Sequence, residues 1–303
     1  MRVIFMGTPD YAEAILAKII EVKDIDVVAV YTQPDKPVGR KKVLTPPVVK
    51  TLAQDNNIDV YQPNRLRDKD VVDELLKIEC DYIVVAAYGQ ILPKEILEHA
   101  PCINLHASIL PEYRGASPIQ QSLLNNDKKT GVTAMLMDEG LDTGDIIKID
   151  EIEIPKDMIV GELFDALTKT ATDLTVDVLH NFNSYTPKKQ DDSKATHCGK
   201  VIKSDGLVEF DDADSLYNKY RAYTPWPGIY LQSGLKLKKI SLVNSDKAGK
   251  AGKIISINED SIDVSCIKGV IRLYKVQPQS KKEMDILSYI NGKRLSLEDN
   301  LSW

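Results

Sequence analysis

Three side chains in two segments of this chain could carry out acid–base chemistry together. Asn104 and His106 lie two positions apart, and Asp142 lies in a separate stretch, residues 138–145, that also contains two glycines. An amide can polarise a carbonyl group, an imidazole can carry a proton near neutral pH, and a carboxylate can orient that imidazole. Acyl transfer to an amine needs these groups, so the three residues are our candidate catalytic set.

The local pattern around the first two residues supports this set. Residues 102–107 predict a short strand, and strand side chains alternate between faces, so Asn104 and His106 point the same way. Each could merely satisfy backbone groups at a strand end, which is the ordinary explanation for a lone histidine. The pair, the turn that follows it and the Asp142 loop together favour a functional site.

Composition indicates an ordinary globular protein of one large or two smaller domains. The chain has 303 residues, of which 43% are hydrophobic and 28% charged. No apolar run approaches the roughly 20 residues of a membrane span, and the chain opens directly on a strand pattern, so we expect no membrane association. The scattered cysteines predict a reducing cytoplasm and no metal site; they are Cys80, Cys102, Cys198 and Cys266.

Charge is distributed unevenly along the chain. Residues 1–190 carry 21 Lys and Arg against 30 Asp and Glu, whereas residues 204–303 carry 15 against 13. A mildly basic end on an acidic body is compatible with a polyanionic partner. A solvated surface explains so small an excess equally well.

Alternating strand and helix patterns in the first half predict a Rossmann-like, mostly parallel sheet with helices on both faces. Thr8 is predicted to cap the first helix, with Pro9 at its first position. Ligands of such sheets bind beyond the carboxyl ends of the strands. Residues 88–90 and 106–108 both follow predicted strands, so we expect them to meet in one crevice.

The remaining sequence changes character. Residues 183–204 are polar and predict a linker between a domain at 1–182 and a second at 205–303. Short, turn-separated strands in the second domain predict a small antiparallel barrel. A closing helix over 283–290 is expected to end just before Gly292.

Two common cofactor classes are disfavoured. The first strand leads into Gly7-Thr8-Pro9-Asp10 rather than a G-x-G-x-x-G turn, and no Gly-Lys-Ser/Thr loop is present. Both motifs bind phosphates through closely approaching backbone. Nicotinamide and nucleoside triphosphate chemistry are therefore poor hypotheses.

Four motifs in order resemble the 10-formyltetrahydrofolate-dependent formyltransferase superfamily. They are Asn104-x-His106, Ser108-Ile109-Leu110-Pro111, Arg114-Gly115-Ala116-x-Pro118 and Asp142-x-Gly144. The resemblance implies 10-formyltetrahydrofolate as co-substrate, no metal, and catalytic roles for Asn104, His106 and Asp142. It also implies a folate pocket shaped by Ser108, Ile109, Leu110 and Pro111 and by the backbone of Tyr88, Gly89, Gln90 and Ile91.

Within that superfamily, three further segments resemble the methionyl-tRNA formyltransferases. They are residues 6–12, the basic loop 33–42 and residues 221–228. The resemblance implies methionyl initiator tRNA as acceptor, an OB-like second domain that helps to hold it, and RNA contacts from Arg40, Lys41 and Lys42. The basic loop lacks a glycine that is usual after its arginine, which could alter how it meets RNA. From charge alone, a solvated loop is as good an explanation.

Other interpretations stay open at this stage. A formyltransferase acting on a sugar-nucleotide amine is the main alternative; a glycinamide-ribonucleotide formyltransferase would leave the last hundred residues unexplained. A non-enzymatic RNA-binding protein is disfavoured by the complete Asn104, His106 and Asp142 set. Trp226 could stack on RNA, although a core position at the barrel edge is the preferred interpretation. We expect a monomer.

Overall fold

Strands and helices alternate along the first two thirds of the chain, and strands dominate the last third. The computed structural model describes residues 1–39 and 41–301. Up to residue 198 the elements are β1 (Arg2–Gly7), α1 (Asp10–Glu21), β2 (Asp26–Tyr31), β3 (Lys36–Val38), β4 (Val43–Thr45), α2 (Val48–Asp55), β5 (Val60–Tyr61), α3 (Lys69–Leu75), β6 (Tyr82–Ala86), α4 (Lys94–Leu97), β7 (Cys102–His106), β8 (Arg114–Gly115), α5 (Pro118–Leu124), β9 (Lys129–Leu136), β10 (Ile146–Glu153), α6 (Val160–Asn181) and β11 (His197–Cys198). The later elements are α7 (Ala213–Tyr223), β12 (Ile229–Tyr230), β13 (Lys236–Ala248), β14 (Lys253–Ile257), β15 (Ile262–Ser265), β16 (Lys268–Gln277), β17 (Met284–Asp285) and α8 (Ile286–Lys293).

The main sheet has the strand order β10-β9-β7-β6-β1-β2-β5. Neighbours from β7 to β5 are parallel, whereas β9 and β10 join antiparallel at one edge. Parallel neighbours need crossover connections, which α1, α2, α3 and α4 supply. The predicted mostly parallel α/β sheet is confirmed.

Helices cover this sheet because its central strands are apolar on both faces. Ile4 and Met6 of β1 are fully buried in a cluster that includes Val72 of α3 and side chains of α4. Val3 and Phe5 are also fully buried, and alternation directs them to the opposite face, while α1 packs against β1, β2 and β6. Burial on both faces explains why such strands are continuous apolar runs.

The first helix begins one residue later than predicted. Its N-cap is Pro9, and no side chain caps it. The Thr8 hydroxyl instead accepts from the Gln33 N–H at 3.4 Å and faces the Tyr88 carbonyl at 3.5 Å. Capping by Thr8 was therefore the wrong prediction, because the hydroxyl bridges two strand ends rather than its own helix.

Contacts divide the chain into two compact units. The first comprises residues 1–118, 129–153 and 164–198, and the second comprises residues 119–128, 154–163 and the described residues from 199 onward. The sequence-based bounds of 1–182, 183–204 and 205–303 remain a prediction.

The second unit contains an antiparallel sheet with the order β12-β13-β16-β15-β14, in which β17 also pairs with β16. The register shifts at several points along β13 and β16, and irregularities of this kind, bulges among them, bend and twist a sheet. The predicted OB-like antiparallel domain is confirmed. Helix α8 includes Gly292 and ends at Lys293, and its C-cap Arg294 has a left-handed conformation (φ +57°), so the predicted end of this helix was too early.

Trp226 is 60% exposed, so the preferred assignment of this side chain to the barrel core was wrong. Tyr223 and Ile229 on either side of it are buried instead. Those two side chains occupy the inward positions, and the intervening turn directs the indole outward.

Arg221 of α7 is the most unusual buried side chain of the second unit, with 1% exposure. Its Nε donates to the Met158 carbonyl at 3.0 Å, and Nη1 donates to Asn126 Oδ1 at 3.2 Å and Asn218 Oδ1 at 3.3 Å. Burial lowers the pKa of this guanidinium. Bonds to several separate segments explain why an arginine stands here, since a buried charge needs its donors satisfied.

Arg221→Ala is expected to lower the free energy of unfolding by about 2–5 kcal/mol, the range for truncating a large buried side chain. The loss has two physical causes, a cavity and carbonyl oxygens left without donors. Denaturant unfolding measures it. Lys247→Ala, at an exposed position of the same unit, should stay within about 0.5 kcal/mol of the parent. Equal effects of both substitutions would contradict the assignment.

Candidate active site

Strand β7 carries two of the candidate catalytic side chains. It pairs with β6 on one side and β9 on the other, inside the main sheet. Asn104 is half-buried, and His106, the last residue of the strand, is 6% exposed. Their two-residue spacing places both on one face, as the sequence indicated.

Asp142 reaches this pair from the loop between β9 and β10. Its Oδ1 lies 3.4 Å from Asn104 Nδ2 and 3.6 Å from His106 Nδ1. Its Oδ2 accepts from the Gly115 N–H at 2.8 Å. The three predicted residues therefore lie together around one carboxylate, while their catalytic roles stay predictions.

Oxygen atoms face both ring nitrogens of His106. Nε2 lies 3.0 Å from the Tyr113 carbonyl oxygen, and Nδ1 faces Asp142 Oδ1. A neutral imidazole has one N–H, whereas an imidazolium can donate from both nitrogens. The surroundings therefore orient the ring from both sides.

The two residues that supply these oxygens both have a left-handed backbone conformation. Tyr113 has φ +60° and Asp142 has φ +57°, in the left-handed region that ordinary residues seldom adopt. Each such residue costs about 1–3 kcal/mol and persists where surrounding contacts hold it. Both strained residues aim an oxygen at His106, which supports a functional reason for the strain.

The glycine at position 115 is required by close packing. It has φ +119°, and a Cβ placed on it would lie 2.2 Å from the Cys198 carbonyl oxygen. Any side chain would push β8 away from β11. The N–H that holds Asp142 thus depends on glycine at this position.

The turn after β7 is stabilised from within. The Ser108 hydroxyl donates to the Glu112 carbonyl at 2.6 Å, and its side chain is fully buried. Thr133 Oγ1 donates to the Ser108 carbonyl at 2.7 Å and accepts from the Leu110 N–H at 3.1 Å. Ser108 and Leu110 therefore shape the turn, and partly exposed Ile109 is the side chain nearer solvent.

Two threonines that lie far along the chain from this turn, Thr196 and Thr133, also support it. Pro111 contributes its carbonyl, which accepts from the Thr196 N–H at 3.3 Å, inside the segment interpreted as a linker. Thr133 lies on β9, where a threonine is an ordinary strand residue. No local signal distinguished either threonine as a support for the site.

The predicted folate segment turns its side chains in different directions. Tyr88 is 2% exposed, and burial raises the pKa of its phenol. Gly89 has φ +79°, and Ile91 is 80% exposed. Gln90 Oε1 accepts from the Leu66 N–H at 2.7 Å. The backbone and Ile91, rather than the polar side chains, are thus the parts free to meet a ligand.

A polar network connects this segment to the base of the basic loop. Gln33 Nε2 donates to the Tyr88 carbonyl at 3.1 Å, and Gln62 Nε2 donates to the Gln33 carbonyl at 2.9 Å and to Asp35 Oδ1 at 2.7 Å. Lys50 Nζ lies 2.9 Å from the Asp35 carboxylate. The bonds from Gln62 and Lys50 lower the pKa of Asp35. The charged form of Asp35 therefore anchors the start of hairpin β3–β4.

The hairpin itself is exposed. Lys41 and Lys42 at its turn are both exposed. Arg40 lies outside the described residues. Exposed apolar side chains flank the turn, namely Val38, Val43 and Leu44. The hairpin is thus an accessible surface of mixed cationic and apolar character.

Within residues 1–39 and 41–301, no group of three or more His, Cys, Asp or Glu side chains could hold a metal ion. The four cysteines are unpaired, and burial raises the pKa of Cys102, Cys198 and Cys266, which makes these thiols poor nucleophiles. In the same described part of the chain, no helix is both long and apolar enough to cross a membrane.

Two family models match the chain. The formyl transferase model matches residues 1–179. The model of the formyl transferase C-terminal domain matches residues 200–294. Together these segments cover most of the sequence, including all of the candidate catalytic residues.

Curated relatives match over the full length. The methionyl-tRNA formyltransferase of Sulfurimonas denitrificans is 65% identical over 302 residues, which cover 100% of both chains. The methionyl-tRNA formyltransferase of Campylobacter jejuni is 48% identical over 303 residues, with 99% of each chain covered. The relatives therefore resemble this chain in both units and not in one shared domain only.

Solved structures with lower identity share the fold. An N-formyltransferase from Helicobacter canadensis, solved with folinic acid and dTDP-3-aminofucose, has a TM-score of 0.67 at 18% identity and covers 91% of this chain and 99% of its own. HypX from Aquifex aeolicus, solved with tetrahydrofolic acid, has a TM-score of 0.62 at 14% identity and covers 99% of this chain and 48% of its own. Likeness at these identities concerns the fold alone.

Proposed function

This chain belongs to the formyl transferase family, and we propose that it transfers the formyl group of 10-formyltetrahydrofolate to the α-amino group of methionyl initiator tRNA. The arrangement of Asn104 and His106 around Asp142 carries the proposal. Relatives with that acceptor in their names are 48–65% identical over nearly the whole chain, which supports the choice of acceptor. The product would serve translation initiation, so we also propose a cytoplasmic location.

The proposed chemistry assigns one role to each side chain. The amine attacks the formyl carbon, and the carbonyl oxygen gains negative charge. Asn104 donates a hydrogen bond to that oxygen. His106 holds or moves the proton that leaves the amine and reaches the departing N10. Asp142 orients the ring and stabilises its charged form.

A folate site beside residues 88–91 is compatible with the local geometry. A Cβ placed on Gly89 would meet no atom nearer than Gln33 Nε2 at 3.9 Å, so space is open beside this backbone. Exposed Ile91 adds apolar surface next to it. We propose that the pterin lies against this backbone, with the turn of residues 108–111 on another side. The folate supplies the activated formyl carbon.

We propose that hairpin β3–β4 contacts the tRNA through Arg40, Lys41 and Lys42. The exposure of Lys41 and Lys42 supports this, because phosphate binding needs accessible cations. Asp35 lies at the base of the hairpin, and its contacts with Gln62 and Lys50 fix the backbone where the hairpin begins. The second, OB-like unit would hold further parts of the tRNA, and a monomer suffices for these roles.

The double variant Lys41→Gln, Lys42→Gln is expected to bind methionyl-tRNA more weakly, with a shallower dependence of affinity on salt. Each lost phosphate contact reduces the slope of log K against log salt concentration by about 1. Binding titrations at several salt concentrations measure this slope. Lys23→Gln removes one positive charge at an exposed position outside the hairpin, and it controls for the general effect of losing a charge. Equal slopes in the double variant and the parent would exclude these contacts.

The decisive assay combines purified protein, 10-formyltetrahydrofolate and methionyl initiator tRNA, and measures formylmethionine released from the tRNA. We expect transfer with the parent and loss of transfer with His106→Ala. The runner-up function, formylation of a sugar-nucleotide amine, is tested with dTDP-3-aminofucose in place of tRNA. Transfer to that amine alone would overturn the proposed acceptor and leave the formyl-transfer chemistry in place.

A further inference from the structure

The polar segment interpreted as a linker packs onto the first unit beside the candidate site. Lys188 exchanges two backbone hydrogen bonds with Ile146, at 2.8 Å and 2.9 Å. Nine residues later begins β11, which pairs in parallel with β8. Both ends of this stretch are therefore fixed, and Gln190 between them is only 6% exposed.

The amide of Gln190 uses its full hydrogen-bonding capacity. Nε2 donates to the Asp142 carbonyl at 2.9 Å and to the Gly144 carbonyl at 2.8 Å. Oε1 accepts from Arg114 Nε at 3.1 Å and Nη2 at 2.8 Å. A glutamine amide has two N–H donors and two acceptor sites, so this geometry occupies all four. Turning the amide around would set N–H groups against the guanidinium, which fixes its orientation.

Arg114 completes the connection. It is 4% exposed, and its Nη2 also contacts Asp192 Oδ1 at 2.8 Å. The next residue, Gly115, donates its N–H to the Asp142 carboxylate. Strand β8 therefore supports the Asp142 loop in two ways. Its Arg114 holds Gln190, which donates to backbone carbonyls of the loop, and its Gly115 N–H donates to the side chain of Asp142.

We propose that Arg114 and Gln190 are positioning residues that hold Asp142 in its left-handed conformation and so aim its carboxylate at Asn104 and His106. This inference rests on the proposed function. The left-handed backbone at Asp142 (φ +57°) is less favourable than the ordinary conformations of a non-glycine residue. Two hydrogen bonds from Gln190, to the carbonyl of Asp142 itself and to that of Gly144, offset this cost. Without them the loop relaxes and the carboxylate moves away from the imidazole.

Gln190→Glu isolates the two donors that face the loop. The variant keeps one oxygen as the acceptor for Arg114 and sets the other carboxylate oxygen against the Asp142 and Gly144 carbonyls. We expect kcat to fall by about 10–100-fold, the scale of an ångström-sized misplacement, with little change in KM for either substrate. Lys189→Gln changes the charge by the same amount at the neighbouring exposed position and should leave kcat unchanged.

A double-mutant cycle separates positioning from a purely structural role. In an Asp142→Ala background, Gln190→Glu should lower kcat by less than about twofold, because Gln190 acts only through Asp142. Full additivity of the two losses would overturn the proposal, as would a parental kcat in folded Gln190→Glu. If Gln190→Glu does not fold, Arg114→Lys replaces it in the same cycle, with the same expectations.

Hydrogen exchange distinguishes failure of this inference from failure of the proposed function. Amides of residues 138–145 should exchange faster in Gln190→Glu than in the parent, and this measurement needs no substrate. Unchanged exchange would overturn the positioning role even if the parent formylates methionyl-tRNA. Faster exchange in a protein that does not formylate methionyl-tRNA would retain Gln190 as the support of the loop and reject only the acceptor.

Discussion

Asn104→Ala is expected to lower kcat for formyl transfer by about 100–1,000-fold, the typical effect of removing one donor to a developing oxyanion. The side chain lies on the face of β7 that carries His106, and its Nδ2 is 3.4 Å from Asp142 Oδ1. That contact is long for a hydrogen bond, so the amide retains donor capacity for a substrate oxygen. Rapid-quench measurement of a single turnover reports the chemical step directly.

Asn104→Asp is the matched comparison for this result. It keeps the shape of the side chain but has no N–H donor when ionised, and it adds a second carboxylate beside Asp142. We expect its activity to be as low as that of Asn104→Ala. A parental single-turnover rate in either folded variant would remove Asn104 from the catalytic set.

Asp142→Ala is expected to cause a loss in the same range or beyond it, because one carboxylate serves three groups. It faces Asn104 and His106 through Oδ1 and accepts from the Gly115 N–H through Oδ2. Truncation leaves the ring of His106 without its charged neighbour. It also leaves the Gly115 N–H without this acceptor, which should destabilise the fold by about 1–3 kcal/mol.

Asp142→Asn separates these two consequences. The amide oxygen can still accept from Gly115, so thermal unfolding should stay near that of the parent. The negative charge facing His106 is lost, so the single-turnover rate should fall as far as it does in Asp142→Ala. An active Asp142→Asn variant would show that orientation, rather than charge, is the contribution of this residue.

Local periodicity was sufficient for much of the fold. Continuous apolar runs such as residues 3–6 occur where a strand is buried on both faces, and the structure places β1 in the middle of a parallel sheet. Predictions that depended on a single side chain fared worse. Thr8 contacts Gln33 and Tyr88 instead of capping its helix, and Trp226 is exposed where a core position was expected.

The sequence by itself determined the alternation of the main strands and helices and the shared face of Asn104 and His106, because both depend on spacing between near neighbours. Only the tertiary structure decided that Gln190 supports the Asp142 loop. Its partners lie 46–76 residues away along the chain, and a polar residue in a polar stretch gives no sign of them. Hydrogen-bond partners at that separation are chosen by how the backbone packs, which a local pattern does not contain.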